Sequence, residues 1–441
     1  MAVTLATGQN CFAGIWPRVK YCTAAQNGLG RHRATDSRYR NWRGDGVTSP
    51  PQIVEADNLE HDSVRGAGRT PARLVEDHRD LRLDACRGLA LWFIYIDHIS
   101  GNTFEWLTLR NYGFSDATEV FVFVSGYTCM LAYGGALREQ GWQTIITRSL
   151  RRSFEIYTAF LLLVIAYLVL IWAMGSGNVY FDETNTKFFF ENPGTALFHI
   201  IGLQYAPVNT DILPTFVILH LVFPLVLWLL ICNGAIALTA SLLLYVMVQK
   251  YSWHVPAWPS GELYFNPLAW QFLFVFGAWC AYRGSVGRMV IEWPRASLML
   301  AMLYIAFSLI VTLSWRIEPL KWLIPDVVSG LIYPIHKSHL APLRLVHFLA
   351  LAVVVVRFIP SDWPGLVRPW TAAMIRCGEN SLPIYCISVL LSFLAFVVLN
   401  EVYGGLAMQA FVSVAGIALL IAAGTLLTWE GKLDRRGPKL F

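Results

Sequence analysis

Apolar runs of about 20 residues, separated by polar segments, recur along this chain from residue 85 to residue 428. An α-helix needs about 20 apolar residues to cross the hydrocarbon core of a bilayer. The candidate membrane spans are 85–101, 117–135, 154–175, 212–231, 234–250, 267–283, 296–314, 342–359, 378–400 and 407–428. The sequence therefore predicts an all-α fold, a polytopic membrane helical bundle of about ten transmembrane helices.

The composition favours a membrane protein over a soluble one. Charged residues make up 14% of the 441 residues, whereas a soluble domain carries about a quarter. The lipid bilayer is therefore the first expected partner. No block of like charge resembles a nucleic-acid-binding arm, so no nucleic-acid partner is expected. The eight cysteines show no zinc or redox spacing, and we predict no metal site.

Three parts of the chain differ in character. Residues 1–80 are polar, contain many Arg, Gly, Pro and Asp residues and lack a sustained periodicity, which is typical of a disordered tail. Residues 81–432 contain the apolar runs and form the predicted membrane domain. A short basic tail, residues 433–441, follows.

The distribution of Lys and Arg over the short loops predicts the orientation in the membrane. These residues concentrate on the side of the N-terminus, which places both termini in the cytoplasm. The longer loops 176–211, 251–266 and 315–341 then lie outside. Their many aromatic and polar residues suit a carbohydrate ligand, although interfacial anchoring explains the aromatic residues equally well.

The first span carries charges that a lipid-facing helix lacks. Arg87 and His98 are separated by just over three helical turns, so they share a face and lie about 16 Å apart along the axis. Asp84 precedes Arg87 by about one turn and can pair with it. A charge at membrane depth costs at least about 2.5 kcal/mol, so such groups usually face a bundle interior or water. The pattern suits an anion-binding cation and an imidazole base, while a topology-setting Arg87 and an interfacial His98 remain alternatives.

Further charged residues flank the second and third spans. Glu119 is expected near His98, where it or Asp97 would orient the imidazole, and a pairing of Glu119 with Arg110 is equally plausible. An arginine cluster before the third span suits phosphate binding, because guanidinium groups bind oxyanions in pairs. Anionic lipids or topology explain this cluster as well. It comprises Arg148, Arg151 and Arg152.

Six segments resemble, in this order, the OpgC family within the membrane-bound type-3 acyltransferase superfamily, and they span roughly residues 80 to 400. The segments are RGLALWFIYIDHISGN, TLRNYGFSDATEVFVFVSGY, ILPTFVILHLVFP, FNPLAWQFLFVFGAW, LAPLRLVHFLALA and NSLPIYC. OpgC proteins are implicated in adding succinyl groups to osmoregulated periplasmic glucans at the inner membrane. The resemblance implies an O-acyltransferase, a succinyltransferase, in the bacterial inner membrane. Acyl-CoA, as succinyl-CoA, would be a co-substrate, with no tightly bound cofactor.

The resemblance also implies roles for individual residues. The superfamily is marked by an Arg, ten residues and a His on the first helix, which is the spacing of Arg87 and His98. His98 would be the catalytic base, with Asp97 and Glu119 beside it. The implied acyl-donor site comprises Arg87, Asp84, Arg148, Arg151 and Arg152. The candidate acceptor-side residues are Arg110, Asn111, Asp116, Lys337 and Arg344.

Two departures from the family pattern leave the acceptor open, and two other classes of protein remain alternatives. His336 stands where an acidic residue is expected, and Asn380 where a basic residue or His is expected. A transporter or exporter of glucan or small anions would also need intramembrane charges, although the halves of the chain show no self-similarity. A scaffold for the glucan synthesis machinery would gain nothing from buried charge. That machinery stays a possible partner of the enzyme.

Overall fold

The computed structural model describes residues 80–175, 180–259, 261–283 and 294–436. The predicted N-terminal tail, except Asp80, and the last five residues of the predicted C-terminal tail lie outside this part of the chain. The described residues form α-helices joined by short 3-10 helices and turns, which confirms the predicted all-α fold. The helices are α1 Leu81–Asp97, α2 Ala117–Ala173, α3 Tyr180–Glu183, α4 Lys187–Glu191, α5 Pro193–Ile201, α6 Ile212–Tyr251, α7 Pro267–Arg283, α8 Pro294–Arg316, α9 Asp326–Ile332, α10 Pro342–Phe358, α11 Pro369–Glu379, α12 Ser381–Glu401 and α13 Leu406–Arg436.

Five described helices are long and apolar enough to cross a membrane, judged by length and composition. These are α2, α6, α8, α12 and α13. Helices α1 and α10 contain 17 residues each, and α7 is a shorter apolar helix of the same length. The structure thus agrees with a helical membrane bundle, and the total of ten spans stays a prediction.

The two longest helices each cover two of the predicted spans and are bent between them. Helix α2 leaves helical geometry at Gly141, whose φ of 77° favours glycine. Helix α6 leaves it at Asn233, whose side chain accepts hydrogen bonds from the backbone N–H groups of Ala235 and Ile236. Asn233 therefore caps the second half of α6, since asparagine satisfies the free donors of a helix start.

Glycine residues bring two pairs of helices into backbone contact. A Cβ atom at Gly88 of α1 would lie 1.9 Å from the carbonyl oxygen of Met374 in α11, and one at Gly378 of α11 would lie 2.0 Å from that of Asp84. Helices α2 and α7 approach each other in the same way at Gly126, where a Cβ would lie 1.9 Å from the Phe274 oxygen. Small residues allow such close packing of membrane helices. The contact between α1 and α11 fixes the part of α1 that carries Arg87.

Candidate functional site

A cavity of about 730 Å³ opens where the ends of several helices meet, and we call it the His98 cavity. It lies between the end of α1, the start of α2, the start of α6 and the end of α8. Helix α10 and the segment before it also contribute to its wall. The charged and histidine side chains that line it are Asp97, His98, Arg110, Asp116, Asp211, Arg316, Lys337 and Arg344.

His98 caps the end of α1, and the neighbouring residues hold this end against α13. Tyr95 donates a hydrogen bond to the Val412 carbonyl at 2.7 Å, and the Asn102 amide donates to Ser413 at 3.0 Å. The Nδ1 atom of His98 is buried, and among the described residues no polar atom lies within hydrogen-bonding distance of it. The imidazole lines the cavity, and within the described part of the chain no hydrogen bond at Nδ1 fixes its tautomer.

Asp97 does not orient the imidazole in this structure, contrary to the sequence-based expectation. Its carboxylate accepts a hydrogen bond from the Thr108 hydroxyl at 2.6 Å. Because consecutive residues at a helix end point in different directions, adjacency in sequence did not bring the two side chains together. Asp97 is nevertheless part of the cavity wall.

Glu119 also has a partner other than His98, and this partner is Arg344 of α10. The guanidinium group of Arg344 lies 2.6 Å from the Glu119 carboxylate and 3.1 Å from that of Asp116. The Lys337 ammonium group lies 2.7 Å from Asp116. Glu119 is fully buried, so its charge needs this pairing. The expected pairings of Glu119 with His98 or Arg110 are therefore replaced by one with a residue 225 positions away.

Asp116 and Glu119 also form the start of α2. Asp116 accepts a hydrogen bond from the Thr118 N–H, and Glu119 accepts one from the Asp116 N–H, which makes a capping box. Although burial opposes ionisation of Asp116, the positive charges of Lys337 and Arg344 hold the pKa of this carboxyl well below its usual value. The same two carboxylates thus begin a helix and tie it to α10.

Four of the five expected acceptor-side residues line the His98 cavity. Asp116, Lys337 and Arg344 do so as one ion-paired group, and Arg110 lies nearer the surface with its side chain 48% exposed. Asn111 does not line it. This side chain is fully buried, and its amide donates to the Glu105 carbonyl at 2.7 Å. Asn111 therefore stabilises the turn between α1 and α2.

A second cavity, of about 280 Å³, lies deeper along α1, and we call it the Arg87 cavity. Arg87 donates a hydrogen bond to the Thr128 hydroxyl of α2 at 2.9 Å. Arg152 and His220 line the same cavity. His220 donates from Nδ1 to the Phe216 carbonyl at 2.9 Å, and its Nε2 lies 3.5 Å from the Cys129 thiol. Two cations, an imidazole and hydroxyl groups thus surround this space.

Two of the five expected donor-side residues line the Arg87 cavity, and three do not. Arg87 and Arg152 share the Arg87 cavity, whereas Asp84, Arg148 and Arg151 do not line it. Asp84 is buried against α11. Arg148 donates to Gln140 at 2.9 Å, and Arg151 is 81% exposed beside Glu155. Arg151 is the nearest neighbour of Arg152 and therefore lies on a different face of α2. Arg148 shares the face of Arg152 but lies one helical turn away, outside the cavity wall.

The two cavities share two wall residues, Ile212 and Tyr385. The Tyr385 hydroxyl donates a hydrogen bond to the Asn209 carbonyl at 2.6 Å. Arg87 and His98 therefore belong to adjacent spaces whose common wall is one aromatic ring and one aliphatic side chain.

Sequence reasoning missed Asp211, His220 and Tyr385. Asp211 precedes α6 and lines the His98 cavity, where burial raises the pKa of its carboxyl to about 6. His220 and Tyr385 lie within apolar runs, so neither changes the hydropathy pattern. Both do occur in segments that carry the family resemblance, ILPTFVILHLVFP and NSLPIYC, which was the available signal.

Comparison with known proteins identifies one family. The family model described as OpgC protein matches residues 79–432. No curated protein and no solved structure matches the chain at a significant level. The matched range includes every residue of both cavities.

Proposed function

Because the chain belongs to the OpgC family, we propose that it is a membrane O-acyltransferase that modifies periplasmic glucans. It would move a succinyl group from cytoplasmic acyl-CoA to glucan hydroxyls. The protein would be located in the bacterial inner membrane, with both termini in the cytoplasm. The observation that carries the proposal is the pair of adjacent cavities, one lined by Arg87 and Arg152 with no carboxylate among its described residues, and the other lined by His98.

The Arg87 cavity suits the donor. Guanidinium groups bind oxyanions through paired hydrogen bonds, and Arg87 and Arg152 both line this space. A cavity of about 280 Å³ is below the range of roughly 300–1,000 Å³ for sites that enclose a drug-sized ligand. We therefore assign to it the acyl-bearing arm of the donor, with the nucleotide on the cytoplasmic side.

The His98 cavity suits the acceptor and the chemical step. Neutral His98 would take the proton of a glucan hydroxyl while its oxygen attacks the thioester carbonyl. The tetrahedral intermediate then collapses, the carbon–sulfur bond breaks, and the leaving thiolate takes the proton from the imidazolium. Such direct transfer needs no nucleophilic Ser or Cys. In the alternative form of the scheme, the acyl group is first transferred to the His98 imidazole and then to the glucan hydroxyl. Asp97 and Glu119 would act as supports of the cavity wall.

The surrounding groups support a positioned imidazole. Arg344 joins α10 to α2 through Glu119 and Asp116, so the wall opposite the end of α1 is fixed by charge. Helix α13 holds the other side through Tyr95 and Asn102. A base held between rigid elements keeps the short reaction distance that proximity catalysis requires.

Mass spectrometry of periplasmic glucans tests the proposal in a strain that lacks the gene and is complemented with wild type, His98→Ala or His254→Ala. His254 is an exposed histidine outside both cavities and serves as the matched control. We expect succinyl mass increments with wild type and His254→Ala, and none with His98→Ala at equal membrane levels. Increments that persist without the gene, together with glucan retained in the cytoplasm, would instead indicate an exporter.

A further inference from the structure

Two stacked aromatic rings form part of the wall of the His98 cavity. Trp315, at the end of α8, and Tyr333, after α9, stack with ring centroids 4.1 Å apart and an angle of 28° between their planes. The Trp315 indole N–H donates to the Ser329 hydroxyl at 2.8 Å. The stack and this hydrogen bond together fix the orientation of the indole. Both rings line the cavity.

Trp315 differs from a tryptophan that anchors a helix in the membrane interface. It is 53% exposed although Tyr333 covers part of it, so a large part of the indole remains open. Trp315 also lines a cavity that His98 and Asp211 line. Trp322, in the 3-10 helix that follows α8, is 77% exposed and does not line the cavity. Trp322 suits an interfacial position, and Trp315 suits a ligand.

The chemistry of this wall selects the class of ligand. A hexose ring has two faces of C–H groups and a rim of hydroxyl groups. An aromatic ring offers a broad apolar surface for such a face, and polar groups placed around it bind the rim. Asp211 and Arg110 supply a carboxylate and a guanidinium group in the same cavity. A linear acyl chain has no flat face that would require this surface.

We infer that the Trp315–Tyr333 pair binds one sugar ring of the acceptor glucan and presents a hydroxyl of that ring to His98. The inference rests on the proposed function and adds to it the position of the acceptor. Trp315 and Tyr333 are binding residues in this scheme and take no part in proton transfer.

The scheme separates the effect of Trp315 on the acceptor from its effect on the donor. Loss of the indole removes the stacking surface, and an aromatic contact of this kind corresponds to about a tenfold change in binding. The donor arm lies in the Arg87 cavity, which does not include Trp315. We therefore expect Trp315→Ala to raise the KM for glucan about tenfold and to leave the KM for succinyl-CoA unchanged.

The test uses the full-length protein in liposomes with succinyl-CoA and glucan oligosaccharides. Trp315→Ala is compared with Trp315→Phe, which keeps a flat ring, and with Trp322→Ala, the control outside the cavity. We expect the KM for glucan to rise in Trp315→Ala, to return most of the way in Trp315→Phe and to stay at the wild-type value in Trp322→Ala. Equal glucan KM values for Trp315→Ala and wild type would overturn the inference.

Two further measurements keep this result separate from the proposed function and from folding. Saturation-transfer NMR of glucan binding without donor reports on the aromatic surface even where the wild type transfers no succinyl group. In that case the proposed function fails, and the inference stands or falls on the binding signal of Trp315→Ala. If Trp315→Ala does not fold, Tyr333→Ala replaces it, because this substitution removes the other ring of the stack. Unchanged glucan binding in Tyr333→Ala would count against the inference.

Discussion

Substitution of Met for Arg344 removes the guanidinium that neutralises Glu119 and shares Asp116 with Lys337. Glu119 is fully buried, and Arg344 contacts it at 2.6 Å. Removal of one partner of a buried ion pair costs about 3–5 kcal/mol, because the other charge stays desolvated. Asp116 keeps Lys337 at 2.7 Å, so we expect the lower end, about 3 kcal/mol. This corresponds to a change of about a hundredfold in the unfolding equilibrium.

Two matched variants isolate the cause. Arg151→Met makes the same substitution in an exposed pair, since Arg151 is 81% and Glu155 42% exposed, and such pairs contribute about 0–1 kcal/mol. The double variant Glu119→Gln/Arg344→Met leaves no unpaired charge at this position. We therefore expect it to recover most of the stability that Arg344→Met loses.

The assay is unfolding in mixed micelles of increasing dodecyl sulfate content, followed by tryptophan fluorescence. We expect Arg344→Met to unfold at a clearly lower dodecyl sulfate fraction than wild type, Arg151→Met at nearly the wild-type fraction, and the double variant between them. Equal midpoints for Arg344→Met and Arg151→Met would refute the reasoning. A double variant less stable than Arg344→Met alone would show that Glu119 is stabilised by groups other than Arg344.

Two further predictions follow from packing and from titration. In Gly88→Ala, the new Cβ would lie 1.9 Å from the Met374 oxygen, about 1.5 Å short of ordinary contact, so we expect a loss of about 1–3 kcal/mol in the same micelle assay. Gly135→Ala, where no atom lies within 4 Å, should be neutral, and equal losses for the two variants would exclude close packing as the cause. Burial raises the pKa of Asp211 to about 6, above its unfolded value, so ionisation destabilises the folded state as the pH rises through about 6. We expect Asp211→Asn to be more stable than wild type above pH 6 and to lose this advantage near pH 4, and a difference that does not vary with pH would contradict the assignment.

The helices could be predicted from the sequence because hydrophobic length is a local property. The predicted spans at 267–283 and 342–359 match α7 and α10 closely. The second and third spans are indeed separated, because the backbone leaves helical geometry at Gly141 within α2. The helical structure of residues 136–153 on either side of Gly141 was not predicted. Polar helix formers in that segment lower its hydropathy although they favour a helix, so hydropathy alone did not predict that both helices extend towards Gly141.

The site was predictable only where its residues share one helix. Arg87 and His98 are placed by the periodicity of α1, and they line the two cavities. The partner of Glu119 could not be predicted, because Arg344 reaches it through the packing of α10 on α2. Asp211 was missed for a similar reason. One acidic residue before an apolar run is typical of a helix start. Asp211 becomes part of a cavity wall only through the packing of the helices, which the sequence does not show.

The charges of the two cavities differ in a way that is consistent with the two proposed substrates. The described wall of the His98 cavity contains four cationic side chains and the carboxylates of Asp97, Asp116 and Asp211. Glu119 forms an ion pair with Arg344, one of these four cations. The described wall of the Arg87 cavity carries two guanidinium groups and no carboxylate. A balanced wall suits an uncharged glucan hydroxyl, while a cationic wall attracts an anionic donor. In the proposed scheme the donor would therefore be drawn to the Arg87 cavity, and only its acyl end would need to pass Ile212 and Tyr385 to reach His98.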